Sequence, residues 1–259
     1  MTNARPNREL APQRWARLAD FIRTRGVARL DELCRATEAS PATVRRDLEG
    51  LERMGRIRRV HGGAVSVESR LEEPLFDDKT SLAAREKQRI AAAALALIQP
   101  GETIYLDGGS TVLALARRLR ERGDVTVVTN SLRAAIELAG AGPRLILVGG
   151  ELRRLSQTLV GPLTRCLLDS LQVDKAFMGT IGVTTAGLTT TDPGEAYTKE
   201  QAMSRAREVI LLADSSKVGK VSFARAGRLE QVDLLITDQR LDAARTKELQ
   251  KHGVKVQKV

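Results

Sequence analysis

Aromatic residues are scarce: Phe, Trp and Tyr together make up 3% of the chain, although 42% of it is apolar. A core must therefore be built from Leu, Val, Ile and Ala, which suits buried helices and parallel strands better than a sandwich. Cysteine is scarce too. Cys34 and Cys166 lie far apart, and neither they nor His61 and His252 show metal-ligand spacing. This excludes a disulfide framework and suggests no zinc site, and nothing calls for a cofactor; the expected compartment is the reducing cytoplasm. No run approaches the ~20 uninterrupted apolar residues of a membrane helix. Residues 1–12 lack the apolar segment of a signal peptide, so neither export nor a membrane partner is expected.

Lysine is missing before residue 65, whereas arginine recurs fourteen times between Arg5 and Arg59. Arginine is the residue suited to bidentate phosphate and guanine contacts. The net charge of +10 and a pI near 10.1 favour a polyanionic partner, because basic surfaces release counterions from a phosphate backbone.

Three helices and a ribbon are expected at the amino-terminal end. Trp15, Leu18 and Ile22 recur at helical spacing within residues 12–25, and Leu30 and Leu33 define a second, shorter helix. Ser40 as N-cap and Pro41 as first helical residue fix the start of a third, in which Val44, Leu48 and Leu51 share a face. Thr43, Arg46, Asp47 and Gly50 are expected to point away from that face. Residues 56–60 alternate as a strand, and Gly62-Gly63 would turn the chain or let its backbone approach a groove. The expected division is a helix-turn-helix module over 1–65, a charged linker over 66–80 containing Pro74, and a larger domain over 81–259. In the last, short apolar runs at 103–107, 125–130, 145–150, 176–180, 209–214 and 234–238 alternate with helical stretches. Strands apolar on both faces, separated by helices, predict an α/β fold with a mainly parallel sheet.

The second helix of a helix-turn-helix reads bases from the outward residues of its first turns. Here these are Ser40, Pro41, Ala42, Thr43, Arg45 and Arg46, while Arg56, Arg58, Arg59 and His61 fall where a wing would meet phosphate or a minor groove. From charge alone, a solvated arginine face is an equal reading. Asp47 is expected to orient Arg45 or Arg46, or to act locally within its helix, rather than touch DNA. The run Ser40-Pro41-Ala42-Thr43-Val44-Arg45-Arg46-Asp47-Leu48-Glu49-Gly50-Leu51-Glu52, continuing through Gly55, Arg56, Arg59 and His61-Gly62-Gly63-Ala64, closely resembles the signature of the DeoR family of bacterial repressors. That resemblance implies a winged helix-turn-helix bound to double-stranded operator DNA. Ala39 and Cys34 depart from the usual valine and alanine at core-facing positions.

Leu106-Asp107-Gly108-Gly109-Ser110-Thr111 joins a strand to a helix, and such a turn can aim backbone N–H groups at an anion or simply cap the helix. Polar groups recur at other strand ends, at 129–131, 149–150 and 214–217, and the carboxyl edge of a parallel sheet is where ligands usually sit. Residues from about 87 to 238 also resemble the DeoR effector domain, which is related in fold to sugar-phosphate isomerases. The resemblance implies a phosphorylated sugar as effector. Gly108 to Thr111 would form its phosphate anchor, Gly109, Ser110 and Thr111 holding the phosphate, with Asp107 in the same site, Asn130, Ser131 and Lys217 nearby and Asp192 or Glu195 on sugar hydroxyls. Glu195 could equally form an i,i+4 surface pair with Lys199, and Lys217 could be solvated. The competing reading is a sugar-phosphate isomerase-like enzyme carrying a DNA-binding domain, since Asp107, Asp192, Glu195 and Lys217 are also the groups that isomerisation needs. The attached DNA module favours the regulator, acting as a homodimer or homotetramer across two half-sites.

Overall fold

The computed structural model describes residues 11–25, 27–60, 62–66 and 76–259. The chain divides into two compact units, Met1–Glu72 and Glu73–Val259. The first contains α1 (Ala11–Arg25), β1 (Val27–Arg29), α2 (Leu30–Thr37), α3 (Pro41–Arg53), β2 (Ile57–Val60) and β3 (Gly63–Ser66). Its strands pair antiparallel in the order β1-β3-β2, so β2 and β3 form the ribbon of a winged helix. Leu18, Ile22, Leu33, Val44, Leu48, Leu51 and Ile57 fill its core, each fully buried aliphatic contributing about 1.5–3 kcal/mol. Ser40 caps α3 by accepting the Thr43 N–H at 3.3 Å, with Pro41 in the first turn where its missing donor costs nothing. Gly63 sits where a Cβ would lie 2.2 Å from the Ala28 carbonyl oxygen, so the ribbon can close on β1 only with glycine there.

The second unit begins with α4 (Phe76–Ser81) and α5 (Ala84–Leu95), followed by β4 (Thr103–Leu106), α6 (Ser110–Arg118), β5 (Thr126–Thr129), α7 (Leu132–Leu138) and β6 (Arg144–Leu147). Next come β7 (Glu151–Arg153), β8 (Thr158–Val160), α8 (Arg165–Leu168), β9 (Val173–Met178), β10 (Gly182–Thr184), β11 (Gly187–Thr190) and α9 (Pro193–Ser204). It closes with β12 (Ala206–Leu212), β13 (Ala224–Gly227), β14 (Leu234–Thr237), α10 (Ala243–Lys251) and β15 (Lys255–Lys258). Seven strands form one sheet in the order β15-β14-β12-β9-β4-β5-β6, with every neighbouring pair parallel. Alternation divides their side chains. Ile104, Leu106, Phe177, Ile210, Leu212 and Ile236 pack with α5 and α6, whereas Tyr105, Ala176, Met178, Leu211 and Leu235 pack with α9 and α10.

Part of the stretch expected to be a linker is helical. Phe76 of α4 is buried in the α5–α6 core, and one aromatic among charges leaves no periodic trace in sequence. The β7–β8 hairpin and the small antiparallel sheet β10-β11-β13 also went unanticipated, because strands of three or four residues are too short to show alternation. Among the described residues no helix is long and apolar enough to cross a membrane.

Candidate DNA interface and ligand site

In the first unit, the opening turns of α3 are open to solvent. Ser40, Pro41, Ala42, Arg45 and Arg46 are exposed and Thr43 partly so. Neither Arg45 nor Arg46 makes an ion pair among the described residues, which leaves both guanidinium groups available. Asp47 does not serve them. It is buried and accepts hydrogen bonds from Trp15 Nε1 at 2.7 Å and from Arg14 Nε and Nη2 at 2.5 and 3.1 Å, so it fastens α3 to α1. Gly50 likewise faces inward: a Cβ there would stand 2.6 Å from the Trp15 ring. The outward placement expected for both residues fails because α1 packs across a second face of α3.

Arg59 is exposed but already paired within the unit. Its backbone N–H and Nε reach Glu52 at 2.8 and 2.7 Å and its Nη1 reaches Glu49 at 2.9 Å, tying β2 to α3. Those bonds hold the Glu52 carboxyl below its usual range. Arg56 is exposed beside this tie, Arg58 lies on β2, and His61 lies outside the described residues.

In the second unit, the sheet order reverses between β4 and β9. From β4 the chain steps outward through β5 and β6, then returns to β9 on the other side and continues through β12 to β15. At such a switch point the loops diverge and leave a crevice beyond the strand ends. The loop after β4 is Asp107-Gly108-Gly109. Gly109 has φ +119°, which favours glycine, and Gly108 packs so closely under β8 that a Cβ would meet Thr158 Cγ2 at 2.3 Å. Ser110 and Thr111 open α6 just beyond.

Beneath this loop lies a buried polar set. Asp107 Oδ2 accepts the Gly179 N–H at 2.9 Å and pairs with Lys199 Nζ, which also donates to the Gly179 carbonyl at 3.1 Å. Glu195 is buried rather than on a helix surface: Oε1 lies 4.0 Å from Lys199 Nζ, and Oε2 accepts from Thr190 Oγ1 at 2.8 Å. Oε2 also lies 3.4 Å from Arg153 Nη1, and Arg153 donates to Thr191 Oγ1 at 3.0 Å and lies 3.7 Å from Asp192. Asp192 caps α9 through the Glu195 N–H at 2.8 Å. Among the described residues the Asp107 Oδ1, Asn130 Oδ1 and Tyr105 hydroxyl oxygens are buried without a hydrogen-bond partner. Burial pushes the Tyr105 hydroxyl pKa well up, helped by the nearby Asp107 and Glu195 charges. Asn130 Nδ2 donates to Leu159 O at 3.0 Å, and the Ser131 hydroxyl is engaged in capping α7 through the Ala134 N–H at 3.2 Å.

Lys217 belongs to the tight turn after β12, on the same carboxyl edge. Asp238, at the end of β14, positions that turn by accepting the Ser215 N–H at 2.7 Å. Burial opposes ionisation of Asp238, but this bond, the Ser215 hydroxyl and the Arg240 donors outweigh it and hold its pKa at about 2. Lys87, in the first turn of α5, is buried and donates to the carbonyl oxygens of Lys79 and Leu82. Its pKa is lowered by burial, and Lys217 and Lys79 lower it further while Asp214 opposes them. The structure thus brings Asp107, Asp192 and Glu195 into one network through Arg153 and Lys199, while Lys87 is held by the Lys79 and Leu82 carbonyls. Arg153 was missed, and Lys199 was read only as a surface partner of Glu195. Arg153 sits on a three-residue strand, and lysines in helical stretches look like solvated charges.

Residues 82–239 match the DeoR C-terminal sensor domain and residues 14–70 the DeoR-like helix-turn-helix domain. Curated relatives include the HTH-type transcriptional regulator GlpR of Haloferax volcanii, 37% identical over 95% of this chain and 97% of its own. The lactose phosphotransferase system repressor of Streptococcus mutans is 36% identical over 87% and 91% respectively. Among solved structures, ribose 5-phosphate isomerase A of Methanocaldococcus jannaschii is 25% identical over 51% of this chain and 53% of its own, with a TM-score of 0.39.

Proposed function

Because the chain belongs to the DeoR family and is a DNA-binding transcription regulator, we propose that its second unit senses a phosphorylated sugar and thereby releases operator DNA. The switch point between β4 and β9 carries this reading. There a glycine turn opens α6, whose free N–H groups and dipole favour an anion. Lys217 supplies positive charge on the same edge, and the unpartnered Asp107 and Asn130 oxygens match hydroxyl donors. Named relatives include repressors of the lactose phosphotransferase system and, putatively, of the aga operon, which supports a carbohydrate-linked signal. The relatives are regulators, so the enzyme reading gives way; the Asp107 carboxylate is in any case engaged by Lys199 and the Gly179 N–H.

At the operator, Arg45 and Arg46 supply the base-reading charge, with Ser40 to Thr43 at the helix start and Arg56 on the flank. Two copies are needed to span two half-sites, and the regulator acts in the cytoplasm, where operator DNA is. Ligand shifts the equilibrium toward an arrangement that fits the operator poorly, by no more than its differential affinity for the two states. The test starts from a thermal-shift panel of sugar phosphates, where a ligand at ~100 times its Kd adds about 2.7 kcal/mol. The hit is then titrated into an operator gel shift with wild type and Ser110→Asp, which sets a negative charge against the phosphate. The variant is expected to hold the operator at every ligand concentration. If it releases DNA as the wild type does, the loop is only a helix cap; product formation by the wild type would restore the enzyme.

A further inference from the structure

The two edges of the large sheet are built differently. β15 closes one side with Lys255 and Lys258 along its short length, the usual way of discouraging another strand from pairing there. β6 closes the other with Arg144, Leu145, Ile146 and Leu147 and no lysine. Leu145 and Ile146 are only half buried, each packing on one of the two cores, and Leu147 is 42% exposed. Arg144 and Val148 donate their N–H groups inward to Val125 and Thr129 of the β5 side. Alternation then turns the N–H and C=O groups of Leu145 and Leu147 outward. Among the described residues no strand pairs with that edge. A run of aliphatics with outward donors and acceptors is a template for another strand.

We propose that β6 is the interface through which two copies of this chain associate, pairing antiparallel across a two-fold axis to make one continuous sheet. Register follows from the backbone. Both members of a hydrogen-bonded antiparallel pair must turn their polar groups toward each other, and here only Leu145 and Leu147 do so. Setting Leu145 against the partner's Leu147 places Ile146 on the axis opposite its own copy, so all three aliphatics meet aliphatics, on one sheet face and then the other. Self-pairing of Leu145, or of Leu147, would instead set Arg144 against Ile146 or leave Leu145 without an aliphatic partner. Charge favours the same choice. In the proposed register Arg144 lies opposite Val148 and the two arginines stand at opposite ends, whereas joining β15 edges would crowd four lysines. The contact is isologous, so it closes at two copies and does not propagate into fibres.

The test uses the full chain with Cys34 and Cys166 replaced by serine, since Cys166 is exposed and Cys34 partly so. On the two-fold axis a non-hydrogen-bonded pair brings the Cα atoms to roughly 4.5 Å, within disulfide range. Ile146→Cys should therefore form a covalent dimer under mild oxidation, well ahead of Lys255→Cys on the far edge. Leu147→Pro removes an outward donor without breaking the β5–β6 ladder and should weaken self-association roughly ten-fold or more by sedimentation equilibrium. Lys255→Glu should leave association unaltered. A monomeric parent chain, cross-linking of Ile146→Cys no faster than of Lys255→Cys, or unchanged association of a folded Leu147→Pro would each overturn the proposal.

Discussion

Replacing Lys199 by methionine probes the buried set at the switch point most directly. Lys199 and Asp107 are 3% and 1% exposed, and they share one short contact that the Gly179 N–H and C=O complete from both sides. Methionine keeps most of the volume and removes the charge, stranding a carboxylate whose Oδ1 already has no partner. Breaking a buried pair from one side costs about 3–5 kcal/mol, because the surviving charge keeps its desolvation penalty. The double variant Lys199→Met/Asp107→Asn removes that charge too, and its amide can still accept the Gly179 N–H. It should recover about 2 kcal/mol or more of the loss, in line with near-neutral replacement of whole buried pairs. Urea unfolding of the full chain, followed by circular dichroism for the transition of the second unit, measures both. A single variant within 1 kcal/mol of wild type, or a double variant no better than the single, would refute the view that Asp107 depends on Lys199.

Arg45→Ala and Arg46→Ala should each weaken operator binding by about 1–3 kcal/mol if they read bases, or lower the salt slope by about one unit if they touch phosphate, as measured by fluorescence anisotropy across salt concentrations. Gly109→Ala meets nothing within 4 Å, so its cost is the left-handed backbone alone, about 1–3 kcal/mol in thermal unfolding. Asp238 gives an acid signature. Its folded pKa of about 2 lies below the ordinary 3.8, so its stabilising contribution is fully present above about pH 4 and is lost as pH falls toward 2. Asp238→Asn should flatten the acid limb of stability by on the order of 1–2 kcal/mol between those values, seen in urea titrations at several pH values.

The elements that sequence displays plainly are those whose signal is local. Ser40 and Pro41 announce α3, and the runs ending at Asp107 and Asp214 announce β4 and β12, because caps and two-faced apolar strands need no knowledge of what packs on them. Asp47 and Gly50 could not be read that way. Their environment is the Trp15 ring, more than thirty residues earlier, and nothing in their helix spacing says that α1 crosses there. The same holds at the switch point. Asp107 and Lys199 are 92 residues apart, and an i,i+4 pair such as Glu195 and Lys199 looks identical in sequence whether it lies in water or in a core. Arg153 had no signal at all, because the hairpin that carries it is too short to be periodic.

Trp15 is the chain's one tryptophan, and its indole N–H is bonded to Asp47 on α3. Its ring also fills the space over Gly50 on the same helix. Light absorbed at the red edge of the indole band is therefore emitted from the joint between α1 and the helix that carries Arg45 and Arg46, with no contribution from Tyr105 or Tyr197. The regulator thus carries an intrinsic optical reporter at that joint. Any signal or quencher that alters the seating of α3 on α1 registers as a change in emission colour or lifetime, without a label and without disturbing the exposed arginines.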